Sequence, residues 1–73
     1  MSGASPKAVR RFATALYPSH YLIARKLPYK VQILLVGPGD GLLKPEVLGD
    51  GTKVAGAWEA ALQELVRRGK ARS

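Results

Sequence analysis

The chain contains no cysteine, and this absence constrains its fold more than any other feature of the sequence. A short chain buries a small share of its surface on folding, and proteins of this size often add disulfides or thiolate-bound metals. A chain of 73 residues without cysteine has neither. We therefore predict one domain over 1–73, held together by a single hydrophobic core, by helix capping or by self-association into a homodimer.

The apolar segments are short. The longest uninterrupted one, Ile33 to Val36, cannot cross a bilayer, and the amino terminus lacks the basic-then-apolar order of a secretory signal. We therefore expect a cytoplasmic protein with no membrane partner. The expected flexible ends of the domain are residues 1–5 and the basic tail 70–73.

Residues 6–16 have the pattern of an amphipathic helix. Ser5 suits the N-cap, and Pro6 suits the first helical position, where its missing N–H would be unpaired anyway. One face carries an apolar stripe formed by Val9, Phe12, Ala13 and Leu16. The other face is basic and carries Lys7, Arg10, Arg11 and Thr14. Pro18 is expected to end the helix.

The middle of the chain predicts β-structure. Tyr29–Val36 has the pattern of a central strand, because alternate residues are apolar on one face and Leu34 and Val36 make the other face apolar too. His20–Leu27 fits either a strand or a short helix that Pro28 would stop, and we favour the strand. Leu42–Leu48 is expected to return antiparallel, at an edge because it contains Pro45.

The last helix is predicted after a turn at Gly49–Gly51, with Thr52 as its N-cap and Gly69 as its end. Trp58 lies on the apolar stripe and is expected to anchor the core. Gly56 lies inside the helix, where glycine lowers helix stability. It either permits a close approach of the sheet or of a partner backbone, or is tolerated without a packing role, and we favour the second interpretation.

These elements predict an α+β fold, with a small two- or three-stranded antiparallel sheet and an N-terminal and a C-terminal helix packed on one face. The order of helix, strands and helix, with Gly51-Thr52-Lys53 opening the last helix, resembles the double-stranded RNA-binding domain in outline. That resemblance implies phosphate contacts from a lysine cluster at the start of the final helix. This chain departs from it by having only Lys53 there.

Charge is unevenly distributed along the chain, whose formal net charge is +7. Residues 1–30 contain six Lys and Arg residues and no carboxylate, whereas residues 31–64 contain all five acidic residues. The last nine residues add four cations. Such a field attracts polyanions and accelerates encounter with them.

We therefore expect a non-enzymatic binding protein that acts as a DNA-binding or RNA-binding protein or as a regulatory accessory protein. Aromatic residues interleaved with the cations of residues 20–30 fit base stacking beside phosphate contacts. The alternative is a protein-interaction module or small phage or mobile-element inhibitor, which would use the same basic face against an acidic partner protein. The residues predicted to contact phosphates are Lys7, Arg10, Arg11, Arg25, Lys26 and Lys30.

Known catalytic and metal-binding motifs do not match the sequence. The glycines of residues 37–41 lack the closing Gly-Lys-Ser/Thr of a P-loop. His20 is the only histidine and there is no cysteine, which argues against a zinc site. Asp40, Glu46 and Asp50 lack the spacing of a calcium loop. We expect no cofactor, no metal and no catalytic residue; an enzyme would require Asp40, Glu46 and His20 to converge in a cleft.

Overall fold

The computed structural model describes residues 5–38 and 45–72 and has the α+β fold that the sequence predicts. Its three strands form one antiparallel sheet in the order β1-β2-β3, with helices at the two ends of the chain. The elements are α1 (Pro6–Leu16), β1 (Tyr21–Leu27), β2 (Lys30–Val36), β3 (Glu46–Gly51) and α2 (Val54–Arg72).

Helix α1 begins as predicted. The Ala8 N–H donates a hydrogen bond of 3.2 Å to the Ser5 hydroxyl, and Pro6 occupies the first turn. After α1, the His20 N–H donates to the Tyr17 carbonyl at 3.1 Å, which closes a tight turn with Pro18 at its second position. Ser19 follows with φ of 70°, a left-handed conformation that a type II turn requires at its third position.

Strands β1 and β2 form a hairpin. Leu27 pairs with Lys30, so only Pro28 and Tyr29 connect the two strands. The strand interpretation of residues 20–27 is confirmed, and β2 is the central strand as predicted. It begins at Lys30, one residue later than expected, because Tyr29 lies in the turn.

Strand β3 differs from the prediction of Leu42–Leu48. It begins after Pro45 and runs through the segment Gly49–Gly51 that was predicted as a turn. Residues 42–44 lie outside the described part of the chain. The prediction was wrong because closely spaced glycines usually indicate a turn. Gly49 and Gly51 instead lie within the strand, where the absence of a side chain lets α2 pack against it.

Helix α2 packs closely on β3 at those glycines. A Cβ atom added to Gly49 would lie 2.8 Å from the Ala60 carbonyl carbon and 2.9 Å from the Ala57 carbonyl oxygen, and one added to Gly51 would lie 3.0 Å from the Ala57 amide nitrogen. The two backbones therefore meet without an intervening side chain. Gly56 has nothing within 4 Å of its added Cβ, so it is tolerated rather than required by packing.

Helix α2 also continues through Gly69, its predicted end, to Arg72. A Cβ atom at Gly69 would be 3.7 Å from Phe12 and from Leu16, so this turn of α2 lies against α1. Packing against α1 thus stabilises α2 beyond Gly69, the residue at which the sequence predicted its end. Residues 70–72 continue the helix and do not form the flexible tail that was predicted. Neither described helix is long and apolar enough to cross a membrane.

The core lies between the sheet and the helices. Trp58 is 3% exposed and belongs to this core, which confirms its predicted role. Val31, Ile33 and Leu35 of β2 face the helices, whereas Leu34 and Val36 are buried on the opposite face of the sheet, outside the core cluster. The two apolar faces expected for the central strand are therefore both present.

The Gly49 contact gives a prediction about stability. We expect Gly49→Ala to lower the free energy of unfolding by about 2 kcal/mol or more, because the added methyl group meets main-chain atoms of α2. Gly56→Ala should raise it by about 1 kcal/mol, because it improves helix propensity in open space. Chemical denaturation of both variants measures these changes, and equal effects of the two substitutions would contradict the packing described here.

Candidate nucleic-acid interface

The topology brings three chain segments to one end of the molecule. Helix α2 runs antiparallel to β3, because Gly51 lies against its first turns and Glu46 binds Arg68 near its last. The two helices run in the same direction, because Arg10 contacts Trp58 whereas Leu16 lies near Gly69. The starts of α1 and α2 and the β1–β2 turn therefore share one end.

We call this region the hairpin end and define it by residues 6–11 of α1, the Pro28–Tyr29 turn and Thr52–Lys53. The opposite region, the far end, contains Tyr17–His20, Glu46 and the last two turns of α2. All six cations predicted to bind phosphates belong to α1, β1 or β2. They lie between the start and the middle of α1 (Lys7, Arg10, Arg11), in the second half of β1 (Arg25, Lys26) and at the start of β2 (Lys30). They do not form one continuous face, because they project from three different surfaces.

Lys7 and Arg11 lie on the exposed side of α1. They are one helical turn apart and line a shallow cleft together with Ser5 and Ala8. Neither side chain forms an ion pair within residues 5–38 and 45–72. Their charges are therefore available to an anion at the surface.

Arg10 has a structural contact that the sequence reasoning missed. Its guanidinium carbon lies 4.9 Å from the centre of the Trp58 ring, which is a cation–π distance. The guanidinium of α1 thus packs on the aromatic anchor of α2. Only the crossing of the two helices brings these residues together, so spacing along the chain gave no signal for it.

Arg25 and Lys30 lie on the face of the sheet opposite the helices. Arg25 donates two hydrogen bonds to the Gln32 side-chain oxygen, at 2.6 and 3.1 Å, and keeps its full charge because the amide is neutral. Lys30 forms an ion pair of 3.7 Å with Asp50, which partly neutralises it. Lys26 alternates to the helix side of β1 and is exposed.

Lys53 is a further exposed cation at the hairpin end. The sequence places it at the start of the last helix, and it is not among the six residues predicted to contact phosphates. The antiparallel pairing of Val31 with Gly51 brings this segment beside the β1–β2 hairpin. Folding thus adds Lys53 to the cations near the hairpin.

Ion pairs around Arg68 neutralise part of the positive charge of the far end. Its guanidinium donates to Glu64 at 2.6 Å, to the Tyr17 hydroxyl at 3.2 Å, and to Glu46, so it joins α2, α1 and β3. Arg67 donates to Glu64 at 2.5 Å. Two cations of the basic carboxy-terminal segment are therefore balanced by two carboxylates, whereas Lys70 is exposed and forms no ion pair among the described residues.

These contacts shift the ionisation of the groups involved. Hydrogen bonds from Arg67 and then from Arg68 hold the pKa of the Glu64 carboxyl below its ordinary value. The hydrogen bond to Glu46 is the main reason that the pKa of Arg68 is raised. Both shifts favour the charged forms that make the ion pairs.

The residues considered for catalysis or metal binding are not brought together where the structure describes them. Asp40 lies outside the described residues. Glu46 and Asp50 lie towards opposite ends of β3, each in an ion pair. The His20 Nδ1 atom lies 3.1 Å from the Pro18 carbonyl oxygen, and its ring stacks at a tilt on Tyr17, 5.5 Å between centroids. Within residues 5–38 and 45–72, no three acidic or histidine side chains could hold a metal ion.

The Glu64 contacts predict a pH dependence of stability. Because the folded pKa of Glu64 is lowered, its contribution is present above the pKa of an unfolded glutamate, about 4.3, and is lost as the pH falls through the folded value. We expect Glu64→Gln to destabilise the protein at pH 7 and to make the acid-induced loss of stability smaller. Denaturation curves between pH 7 and pH 3 measure this. Glu59→Gln is the control, since Glu59 is exposed and forms no described ion pair, and an equal effect of the control would contradict the assignment.

Comparison of the chain with protein-family models, with curated proteins and with solved structures finds no match in any of the three. The function therefore has to be inferred from the geometry and charge of the molecule itself.

Proposed function

We propose that this protein is a small, non-enzymatic, cytoplasmic nucleic-acid-binding or regulatory accessory protein that holds phosphates at its hairpin end. The observation that carries the proposal is the separation of charge along the molecule. Cations at the hairpin end are largely unpaired among the described residues, whereas Glu46 and Glu64 neutralise Arg67 and Arg68 at the far end.

Phosphate binding needs cations that are exposed and not already paired. Lys7, Arg11, Lys26 and Lys53 meet this condition within the described chain, and Arg25 is held in place by a neutral partner. Each phosphate contact releases counterions, so affinity should fall steeply with salt. Duplex RNA belongs among the test ligands, because the helix, three-strand, helix order matches the outline resemblance noted above.

The proposal predicts that Arg11→Glu weakens binding to nucleic acid at least about tenfold and lowers the salt slope by about 1, because one phosphate contact is replaced by a repulsive charge. Fluorescence anisotropy measures this with duplex DNA, single-stranded DNA and duplex RNA at about 50 and 200 mM salt. Arg10 is left unchanged, because its replacement would remove the contact with Trp58.

The matched control is Lys70→Glu, which makes the same change of net charge on an exposed residue of the far end. It should weaken binding much less than Arg11→Glu. Equal losses would show that net charge alone, and not the hairpin end, determines binding, and circular dichroism checks that both variants fold.

A second candidate is a protein-interaction module, which includes a small phage or mobile-element inhibitor, with its contact surface on α2 instead of on the basic face that the sequence predicts. The observation that favours it is a mostly apolar groove along α2, lined by Leu62, Gln63 and Val66 and bordered by Arg67 and Lys70. An acidic amphipathic segment of another protein fits this chemistry.

This alternative predicts capture of one acidic protein without general polyanion affinity. Val66→Asp should abolish the capture, because it places a carboxylate in the groove, whereas Arg11→Glu at the other end of the molecule should preserve it. Pull-down with purified variants measures both, and loss of capture in Arg11→Glu alone would assign the interaction to the hairpin end instead.

A further inference from the structure

The tip of the β1–β2 hairpin carries an exposed aromatic side chain. Tyr29 is 76% exposed, the highest value among the exposed large hydrophobic residues of the described chain. The two-residue turn holds it on the end of a paired hairpin, between the register partners Leu27 and Lys30. Most of its side chain is therefore open to solvent and accessible to a ligand.

The turn itself does not explain a tyrosine at this position. Two-residue hairpin turns favour glycine, asparagine or aspartate, because their preferred geometries place one or both residues at positive φ. Pro28 cannot adopt positive φ, and Ser19 is the only non-glycine residue with positive φ among those described. The turn therefore departs from the favoured chemistry at both positions, and local deviations of this kind are typical of functional sites.

The surroundings of Tyr29 are cationic. Lys26 and Lys30 lie within three residues of it on either side of the turn, and Lys30 is partly neutralised by Asp50. Arg25, held by Gln32, lies on the opposite face of the sheet from Lys26. Aromatic rings next to cations bind single-stranded nucleic acid, since the ring stacks on a base while the cations hold neighbouring phosphates. Bases inside a duplex are already stacked on each other and do not offer a free face.

We propose that Tyr29 stacks on an unpaired nucleobase, so that the hairpin end binds single-stranded DNA or RNA, or single-stranded segments of a folded nucleic acid. This inference rests on the proposed nucleic-acid binding and adds the class of substrate. It assigns the base contact to Tyr29 and the phosphate contacts to the cations around it.

The test compares Tyr29→Ala and Tyr29→Phe with the wild-type protein. The ligands are a single-stranded oligothymidylate with one internal 2-aminopurine and the corresponding duplex. Tyr29→Ala should reduce affinity for the single strand about tenfold with little change of the salt slope, because a stacking contact is lost and no phosphate contact is. Tyr29→Phe keeps the ring and should bind like the wild type. The 2-aminopurine fluorescence change on binding should be lost only in Tyr29→Ala.

The outcomes separate this inference from the proposed function. Wild-type affinity in Tyr29→Ala, together with weakened binding by Arg11→Glu, would overturn the stacking role and leave phosphate binding intact. Stronger binding of the duplex than of the single strand would likewise overturn it. Absence of binding by the wild-type protein at about 50 mM salt would overturn both. Thermal unfolding of each variant checks that the exposed turn position leaves the fold unchanged.

Discussion

The close approach of α2 to β3 determines most of this structure. At Gly49 and Gly51 no side chain separates the two backbones, and the helix presents alanines to the strand. A larger residue at Gly49 would displace α2 and, with it, Trp58. Trp58 also makes the cation–π contact with Arg10 of α1. In a chain without disulfides, this contact replaces the covalent staples that small domains often use.

The same arrangement separates charge along the molecule. Because the helices run in one direction and β3 runs antiparallel to α2, the amino-terminal cations and Lys53 are brought to the hairpin end. The acidic residues Glu46 and Glu64 are brought to the far end, where Arg68 holds them. Topology thus places the amino-terminal cations and Lys53 at one end of the molecule and pairs Arg67 and Arg68 with carboxylates at the other.

Several positions have a role in the structure that differs from the one the sequence suggested. Arg10 was assigned to phosphates and lies on Trp58, and Gly69 was assigned to a helix end and lies against α1. Tyr29 was assigned to a strand and lies exposed at a turn. Each difference depends on a contact or a pairing between segments far apart in the chain or across a turn, which periodicity cannot reveal.

The sequence by itself determined the element types, the cap at Ser5, the central strand and the buried Trp58, because these depend on local propensity and on hydrophobic spacing within one element. It also determined that the protein carries excess positive charge. Only the tertiary structure decided the bounds of β3, the extension of α2 to Arg72 and which cations are neutralised. These features depend on contacts between different segments of the chain. Such contacts are stabilised by packing and by ion pairs between residues that are distant in sequence, which local propensity cannot predict.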